Sequence, residues 1–190
     1  NIGGGSINLT GTPLVAISGT NAADFTVTTQ PTAIIAANPA TFTVRFAPSA
    51  LGARNAQLTI ANNDSDENPY VINLSGTAVL PPEIAVEQPA GTNIATNGTQ
   101  AFGNVGLGLN NSLTFTIRNS GGIGMNLTGS PLVAISGTNE SDFKVTTQPP
   151  FAAVAAKDST TFTVQFDPTA LGTRNAQLSI ANNDSNENPY

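Results

Sequence analysis

The side chains best suited to chemistry lie in a short acidic stretch that occurs twice. Residues 61–70 read Ala-Asn-Asn-Asp-Ser-Asp-Glu-Asn-Pro-Tyr, and residues 181–190 repeat them with Asn in place of the second Asp. Carboxylate and amide oxygens are the ligands that Ca²⁺ prefers. The stretch therefore predicts a calcium site in each copy, with these candidate ligands: Asn63, Asp64, Asp66 and Glu67 in the first, and Asn183, Asp184 and Glu187 in the second.

The same stretch also has a purely structural interpretation. Asn and Asp close tight turns through hydrogen bonds between their side chains and nearby backbone amides. The spacing of the carboxylates does not match an EF-hand loop, and Asp66 is replaced by Asn186 in the second copy. A solvated hairpin turn that binds no metal therefore stays open as the alternative, and no other cofactor is expected.

Few other groups in the sequence are suited to catalysis. Cys and His are both absent, so a thiol nucleophile, the usual general base and the usual transition-metal ligands are missing. Two carboxylates can hydrolyse a glycoside, but few acidic residues occur in both copies, and we expect that the protein is not an enzyme. The acidic residues common to both copies are Asp24 and Asp142, Asp64 and Asp184, and Glu67 and Glu187.

Asp24 and Asp142 each precede a Phe in a Gly-Thr-Asn-x-x-Asp-Phe motif. We expect the Phe to be anchored in a core and the Asp to cap nearby backbone amides, with a ligand contact as the alternative. Arg54 and Arg174 also occur in both copies, after Leu-Gly-x. Each is expected to be a surface charge beside the start of a strand.

The low charge of the chain limits the classes of partner. Only 9% of the residues are charged, and twelve acidic residues against six basic ones give a net charge of −6. Nucleic acids and anionic membrane surfaces both attract Lys and Arg, so neither is expected as a partner. No stretch approaches the roughly 20 apolar residues of a spanning helix, and this segment is not expected to insert into a membrane.

An internal repeat organises the chain. Residues 8–19 recur at 126–137 with an offset of 118, and residues 61–70 recur at 181–190 with an offset of 120. The length difference falls in 149–160, which predicts a surface loop. A period this long matches a whole domain. We expect residues 1–80 to be a partial repeat lacking its first strands, and residues 81–190 a nearly complete repeat lacking its last strand, within a longer protein.

Alternating hydrophobicity predicts β-strands through most of each repeat. Phe, Leu, Ile and Val alternate with Thr, Arg and Asn in several runs, which places one face of each strand in a core. A helical turn is expected at most in 152–157. We expect an antiparallel sandwich whose last two strands form a hairpin across 62–69. The strands expected in a complete repeat are 83–87, 99–103, 112–118, 125–136 with a break, 142–147, 160–166, 174–182 and the equivalent of 70–78.

Both copies carry the motif order of a known family. The first copy reads Phe46-Ala-Pro48, Gly52, Ala56-Gln-Leu-Thr-Ile60 and Asn68-Pro69, and the second reads Phe166-Asp-Pro168, Gly172, Ala176-Gln-Leu-Ser-Ile180 and Asn188-Pro189. This order resembles the ASH/Hydin-type domain of bacterial "choice-of-anchor D" surface proteins. The resemblance implies an all-β fold of tandem immunoglobulin-like antiparallel β-sandwiches, related to major sperm protein domains, in large exported proteins.

These features predict a structural role: a spacer, stalk or filament subunit of a large, extracellular, adhesin-like protein on a bacterial cell surface. The expected partners are neighbouring repeats of the same protein and other copies of it, including strand exchange between chains. A binding module for a carbohydrate or a protein is the alternative. Sugar sites favour exposed aromatic rings, but Trp is absent and Tyr70 and Tyr190 are expected to begin a core-facing strand.

Overall fold

The computed structural model describes residues 5–36 and 38–190. The chain divides into two compact units, residues 1–79 and residues 80–190. The strands pair antiparallel in both units, so the all-β, antiparallel fold expected from the alternating sequence is confirmed. Among the described residues, the only helical elements are two single 3-10 turns, Ala22–Asp24 and Glu140–Asp142.

Seven strands lie in the described part of the first unit. Their bounds are β1 (Ile7–Asn8), β2 (Ala16–Ser18), β3 (Phe25–Thr29), β4 (Ile34–Ile35), β5 (Thr43–Phe46), β6 (Gly52–Ile60) and β7 (Tyr70–Ala78). The expected hairpin is formed by β6 and β7, whose register runs from Gly52 opposite Ala78 to Ile60 opposite Tyr70. β2 pairs with the other edge of β6, while β1 pairs with β4 and β3 pairs with β5.

Nine strands form the second unit. Their bounds are β8 (Ile84–Glu87), β9 (Asn93–Ile94), β10 (Asn111–Asn119), β11 (Met125–Asn126), β12 (Ala134–Ser136), β13 (Phe143–Thr147), β14 (Ala153–Val154), β15 (Ser159–Phe166) and β16 (Gln177–Ser179). One sheet has the order β13-β15-β10-β8-β9, and the pairs β11-β14 and β12-β16 complete the unit.

Aromatic side chains fill the centre of the second unit. Phe115 on β10 lies opposite Phe162 on β15, and their rings stack with centroids 5.0 Å apart. The inward residues alternate with Thr along both strands, which explains why the pattern predicted strands here. The core joins side chains of the five-stranded sheet to those of the shorter pairs: Ile84, Val86, Phe115, Ile117, Phe162 and Val164 with Met125, Leu127, Val133, Val154 and Ile180.

The first unit buries the corresponding side chains less completely. Phe46 is 36% exposed, whereas its repeat counterpart Phe166 is 8% exposed. β15 pairs with both β10 and β13, but β5 pairs only with β3. The described part of the first unit contains no counterpart of β8 to β10, so the edge of β5 opposite β3 has no strand partner there.

Three expected elements differ from the structure. Residues 99–103 form no strand. Phe102 packs against the core, but no neighbouring strand pairs with the backbone of this segment. At 152–157, where at most a helical turn was expected, β14 forms and pairs with β11. The strand expected over 174–182 is restricted to β16.

Candidate functional site

Asn182 organises the second copy of the acidic turn, although it was not among the predicted ligands. Its Nδ2 donates hydrogen bonds to the carbonyl oxygens of Ile180 and Glu187, both at 3.0 Å. Its Oδ1 accepts the backbone N–H of Asp184 at 2.7 Å. In the first copy Asn62 makes the same three bonds, to Ile60, Glu67 and Asp64. An Asn placed two residues after an apolar strand is the sequence signal that was missed.

Asn63 and Asn183 are engaged in the same way in both copies. The Oδ1 of Asn63 accepts the backbone N–H of Asn8, and the Oδ1 of Asn183 accepts that of Asn126, each at 2.7 Å. These bonds fasten the turn to β1 and to β11. The turn therefore has the Asx-type hydrogen bonds that its structural interpretation requires.

Two carboxylates of the first copy, those of Asp66 and Glu67, are exposed, and that of Asp64 is half-buried. Asp64 accepts a hydrogen bond from the backbone N–H of Asp66 at 3.4 Å. Hydrogen bonding to Asp66 lowers the pKa of Asp64, and the same contact raises the pKa of Asp66. The side chain of Glu67 is exposed. The structure therefore places these predicted ligands on one solvated turn.

Asp184 in the second copy is buried and has a partner that Asp64 lacks. Its Oδ2 accepts the backbone N–H of Ile84 at 2.9 Å, at the start of β8. Its Oδ1 accepts the N–H of Asn186 at 3.2 Å. Asp184 thereby joins the turn to a strand one hundred residues earlier in the chain. The described part of the first unit has no counterpart of this strand.

An acidic triad forms where β8 begins beside this turn. Glu83, Asp184 and Glu187 each bring a carboxylate oxygen within 4.8 Å of the others. Partial burial raises the pKa of Glu187, and the negative charges of Glu83 and Asp184 raise it further. Glu83 was not predicted, because its sequence position carries no sign of this contact. The triad offers the oxygen ligands that Ca²⁺ prefers, and calcium binding stays a prediction.

Replacing Glu187 with glutamine is expected to raise the melting temperature of the second unit at neutral pH by about 2–4 °C, because it removes one of three repelling charges. Since the pKa of Glu187 is raised in the folded state, the folded wild type binds more protons than the unfolded chain. Its stability should therefore fall as the pH rises from about 4 through the raised pKa. Calorimetry of both proteins between pH 4 and pH 8 measures this difference.

Glu67→Gln is the matched control, since Glu67 has the same place in the first copy and is exposed. We expect Glu67→Gln to leave the melting temperature unchanged. A lower melting temperature for Glu187→Gln at pH 7 contradicts the repulsion argument. Calcium binding predicts that about 1 mM Ca²⁺ raises the melting temperature of the wild type but not of Glu187→Gln. An unchanged wild type would refute it.

Arg174 forms an ion pair with a buried carboxylate, so its expected role as a surface charge is wrong. Its Nε lies 2.5 Å from Oδ2 of Asp142, and its side chain is only 20% exposed. Thr169 donates to Oδ1 of Asp142 from its backbone N–H at 3.2 Å and from its hydroxyl at 2.6 Å. The Thr169 hydroxyl, followed by Arg174, lowers the pKa of Asp142.

The first copy repeats this arrangement. Arg54 lies 3.3 Å from Oδ2 of Asp24, and its side chain is 15% exposed. Asp24 accepts the backbone N–H of Ser49 at 2.9 Å, and the hydrogen bond from Ser49 is the main cause of its lowered pKa. The prediction that Asp24 and Asp142 cap nearby amides is confirmed, and Phe25 is buried as expected.

At a third position that recurs in both copies, a glutamine side chain bonds to the backbone of a valine as a neighbouring strand would. Gln148 accepts the backbone N–H of Val133 at 2.9 Å and donates to its carbonyl oxygen at 2.8 Å. Gln30 makes the same two bonds with Val15 in the first copy, at 2.8 and 3.0 Å. Both glutamine side chains are therefore bonded to the backbone of their own unit.

The second unit also contains an open groove of about 1270 Å³. One wall is formed by residues 94–105 and the other by residues 170–180, and aromatic rings of the core form its floor. Tyr190 closes one end, where its hydroxyl donates to the carbonyl oxygen of Ile94. Burial raises the pKa of this hydroxyl.

Comparison with known proteins places most of the second unit in one family. The family described as "Abnormal spindle-like microcephaly-assoc'd, ASPM-SPD-2-Hydin" (ASH) matches residues 94–189. A search of curated proteins finds no match. A solved crystal structure of a protein of unknown function from Porphyromonas gingivalis W83 is similar to 97% of this chain and 81% of its own, with 14% identity and a TM-score of 0.39. Over residues 5–36 and 38–190, no helix has the length and hydrophobicity needed to cross a membrane.

Proposed function

Because the chain belongs to the ASH family of immunoglobulin-like domains, we propose that it is a structural repeat: a spacer, stalk or filament subunit of a large extracellular protein on a bacterial surface. One observation carries the proposal. Four polar side chains make equivalent internal hydrogen bonds in both units: Asn62 and Asn182, Asn63 and Asn183, Asp24 and Asp142, and Gln30 and Gln148. A sequence repeated in this way preserves a fold and its connections rather than a reactive group.

The buried carboxylates support this role. Asp24 and Asp142 are each paired with an arginine, and Asp184 is bonded to the backbone of β8. A general acid or base must exchange its proton with a substrate, whereas these groups are bonded to their own fold. We therefore propose that the protein is not an enzyme.

Composition supports the proposed location. Charged residues are only 9% of the chain, and small polar residues such as Asn, Thr and Ser supply most of its hydrophilic surface. This composition and the resemblance to the "choice-of-anchor D" proteins favour an exported bacterial protein in which neighbouring repeats are the main partners.

Mechanical unfolding of single molecules tests the structural role. The chain is held between two marker domains and stretched. The second unit is expected to unfold in one step that lengthens the molecule by roughly 35–40 nm, since about 110 residues become extended. Extension without a force peak contradicts a load-bearing role. Antibodies against the chain should also label intact source cells, and label confined to broken cells contradicts the surface location.

A binding module remains the second candidate because β7 begins with an exposed aromatic ring. Tyr70 was expected to begin a core-facing strand and does begin β7, but the start of this strand is open to solvent, since Tyr70, Val71 and Ile72 are 47%, 44% and 37% exposed. An exposed ring beside apolar side chains suits sugar stacking or a protein contact. A specific hit on a glycan array that Tyr70→Ala abolishes would favour this candidate over the structural role.

A further inference from the structure

Residues 80–83 lead into the second unit and are fastened to it before β8 begins. The carbonyl oxygen of Leu80 accepts the backbone N–H of Gly122 at 3.2 Å. The carbonyl oxygen of Glu83 accepts the backbone N–H of Ser120 at 2.8 Å. Both ends of this segment are therefore bonded to the turn that follows β10, and we call residues 80–83 the entry strap.

Two glycines in that turn leave room for the strap. Gly121 is buried, and a Cβ atom on it would collide with the carbonyl oxygen of Pro81 and lie only 2.8 Å from the Cα of Pro82. A Cβ atom on Gly122 would lie 2.9 Å from the backbone nitrogen of Leu80. Glycine permits this close approach of two backbone segments because it has no side chain, so a side chain at either position must displace the strap.

Close contact, and not backbone conformation, explains the glycines at these two positions. The glycines with positive φ are at other positions, so alanine at 121 or 122 meets no strain of that kind. In the first copy the Gly-Gly pair recurs at positions 3 and 4, which lie outside the described residues, although the residues on either side of the pair differ. Gly124, by contrast, is replaced there by Ser6. The repeat therefore keeps glycine where the strap is contacted and exchanges it nearby.

We propose that the entry strap is a mechanical clamp, which holds the N-terminal end of the second unit when the chain is pulled. Covalent connectivity carries a pulling force from Leu80 along the strap to β8. The Leu80–Gly122 and Glu83–Ser120 bonds therefore bear this force before the backbone pairing of β8 with β10 does. The inference rests on the proposed structural role, because such a clamp is useful only in a repeat that bears load.

Constant-force unfolding of the full 190-residue chain between two marker domains tests the proposal, since load then enters the second unit through Leu80. At the same force, the second unit of Gly121→Ala should unfold about tenfold faster than that of the wild type, because the displaced strap loses its backbone bonds. Gly122→Ala should have a smaller effect, because its Cβ atom meets the strap less closely.

Gly124→Ala is the matched control in the same turn. A Cβ atom on Gly124 would have its nearest neighbour, the carbonyl oxygen of Val154, at 3.9 Å, which is an ordinary contact. Gly124→Ala should therefore unfold at the rate of the wild type. Equal unfolding rates for Gly121→Ala, Gly122→Ala and the wild type would overturn the proposal.

A second attachment point separates the clamp from a general loss of stability. The chain contains no cysteine, so Thr99→Cys provides a single attachment site, and Thr99 is exposed and lies after β9. Load applied between this site and the C-terminal marker domain bypasses the strap. Gly121→Ala should then accelerate unfolding by less than about twofold. The same acceleration at both attachment points contradicts the clamp, because it would mean that the substitution only weakens the fold.

Hydrogen exchange of the wild type gives a result that does not depend on how the variants fold. The N–H groups of Ser120 and Gly122 should exchange at least about a hundredfold more slowly than in an unstructured peptide, because both are bonded to the strap. Exchange at the unstructured rate would show that the strap is not docked. A wild-type chain that extends without a force peak contradicts the structural role itself, whereas a peak that Gly121→Ala leaves unchanged contradicts only the clamp.

Discussion

Replacing Asn119 with alanine is expected to destabilise the second unit by about 2–4 kcal/mol. Asn119 is fully buried at the end of β10. Its Nδ2 donates to the carbonyl oxygens of Ile123, Val154 and Ala155 at 2.8, 3.2 and 3.1 Å. Its Oδ1 accepts the N–H groups of Gly121 at 2.9 Å and Glu83 at 3.3 Å. Alanine leaves these backbone groups without their partner in a buried place.

Hydrogen exchange resolved by segment measures this loss in residues 80–190 separately from the first unit. Asn111→Ala is the matched control, since Asn111 begins the same strand and makes one exposed hydrogen bond, to the carbonyl oxygen of Phe102. Its expected cost is below about 1 kcal/mol. Asn119→Asp keeps the shape but loses the donor, so it should be at least as destabilising as alanine. A stable Asn119→Asp variant would show that the amide donor is not what matters.

Replacing Phe162 with alanine is expected to cost about 3–5 kcal/mol in the second unit. Phe162 is fully buried, and its ring stacks on Phe115 with an interplanar angle of 8°. Alanine leaves a cavity in the core beside Phe115, which β10 and β15 cannot fill without breaking the backbone pairing that holds their register. Calorimetry and segment-resolved hydrogen exchange both measure the effect.

The first unit contains the matched control for this cavity. Phe42 is the repeat counterpart of Phe162 but is only half-buried, so less apolar surface is lost on truncation. Phe42→Ala should therefore destabilise the first unit by less than about half as much as Phe162→Ala destabilises the second. Equal costs would contradict the view that β10 is what buries this position.

Local patterns were enough to predict most of the fold. β10 and β15 were expected from the alternation of Phe, Val and Thr, because a strand buried on one face imposes that period directly on the sequence. The strand predicted at 99–103 was wrong, because an apolar residue can be buried without belonging to a strand. Phe102 reaches the core from an irregular segment, and no period distinguishes a buried residue on a strand from one on a loop.

The candidate site was predictable only in part. Asn63 and Asp64 were found because they lie in one short turn, and Asn183 was found because that turn recurs in the second copy. Glu83 and Asn119 were missed as partners because their contacts join positions 101 and 35 residues apart, Glu83 to Asp184 and Asn119 to Val154. Such contacts depend on sheet topology, which short motifs do not encode. The repeat did help, since it predicted that Asp24 and Asp142 act alike.

The two buried ion pairs also bear on how this protein behaves in acid. The carboxyls of Asp24 and Asp142 have a lowered pKa in the folded state, so near that pKa the folded chain binds fewer protons than the unfolded chain. The stability that these carboxyls contribute is therefore present above about pH 4 and is lost as the pH falls through their lowered pKa values. Since the same pair with arginine occurs in each unit, we expect acid to weaken both units over the same pH range.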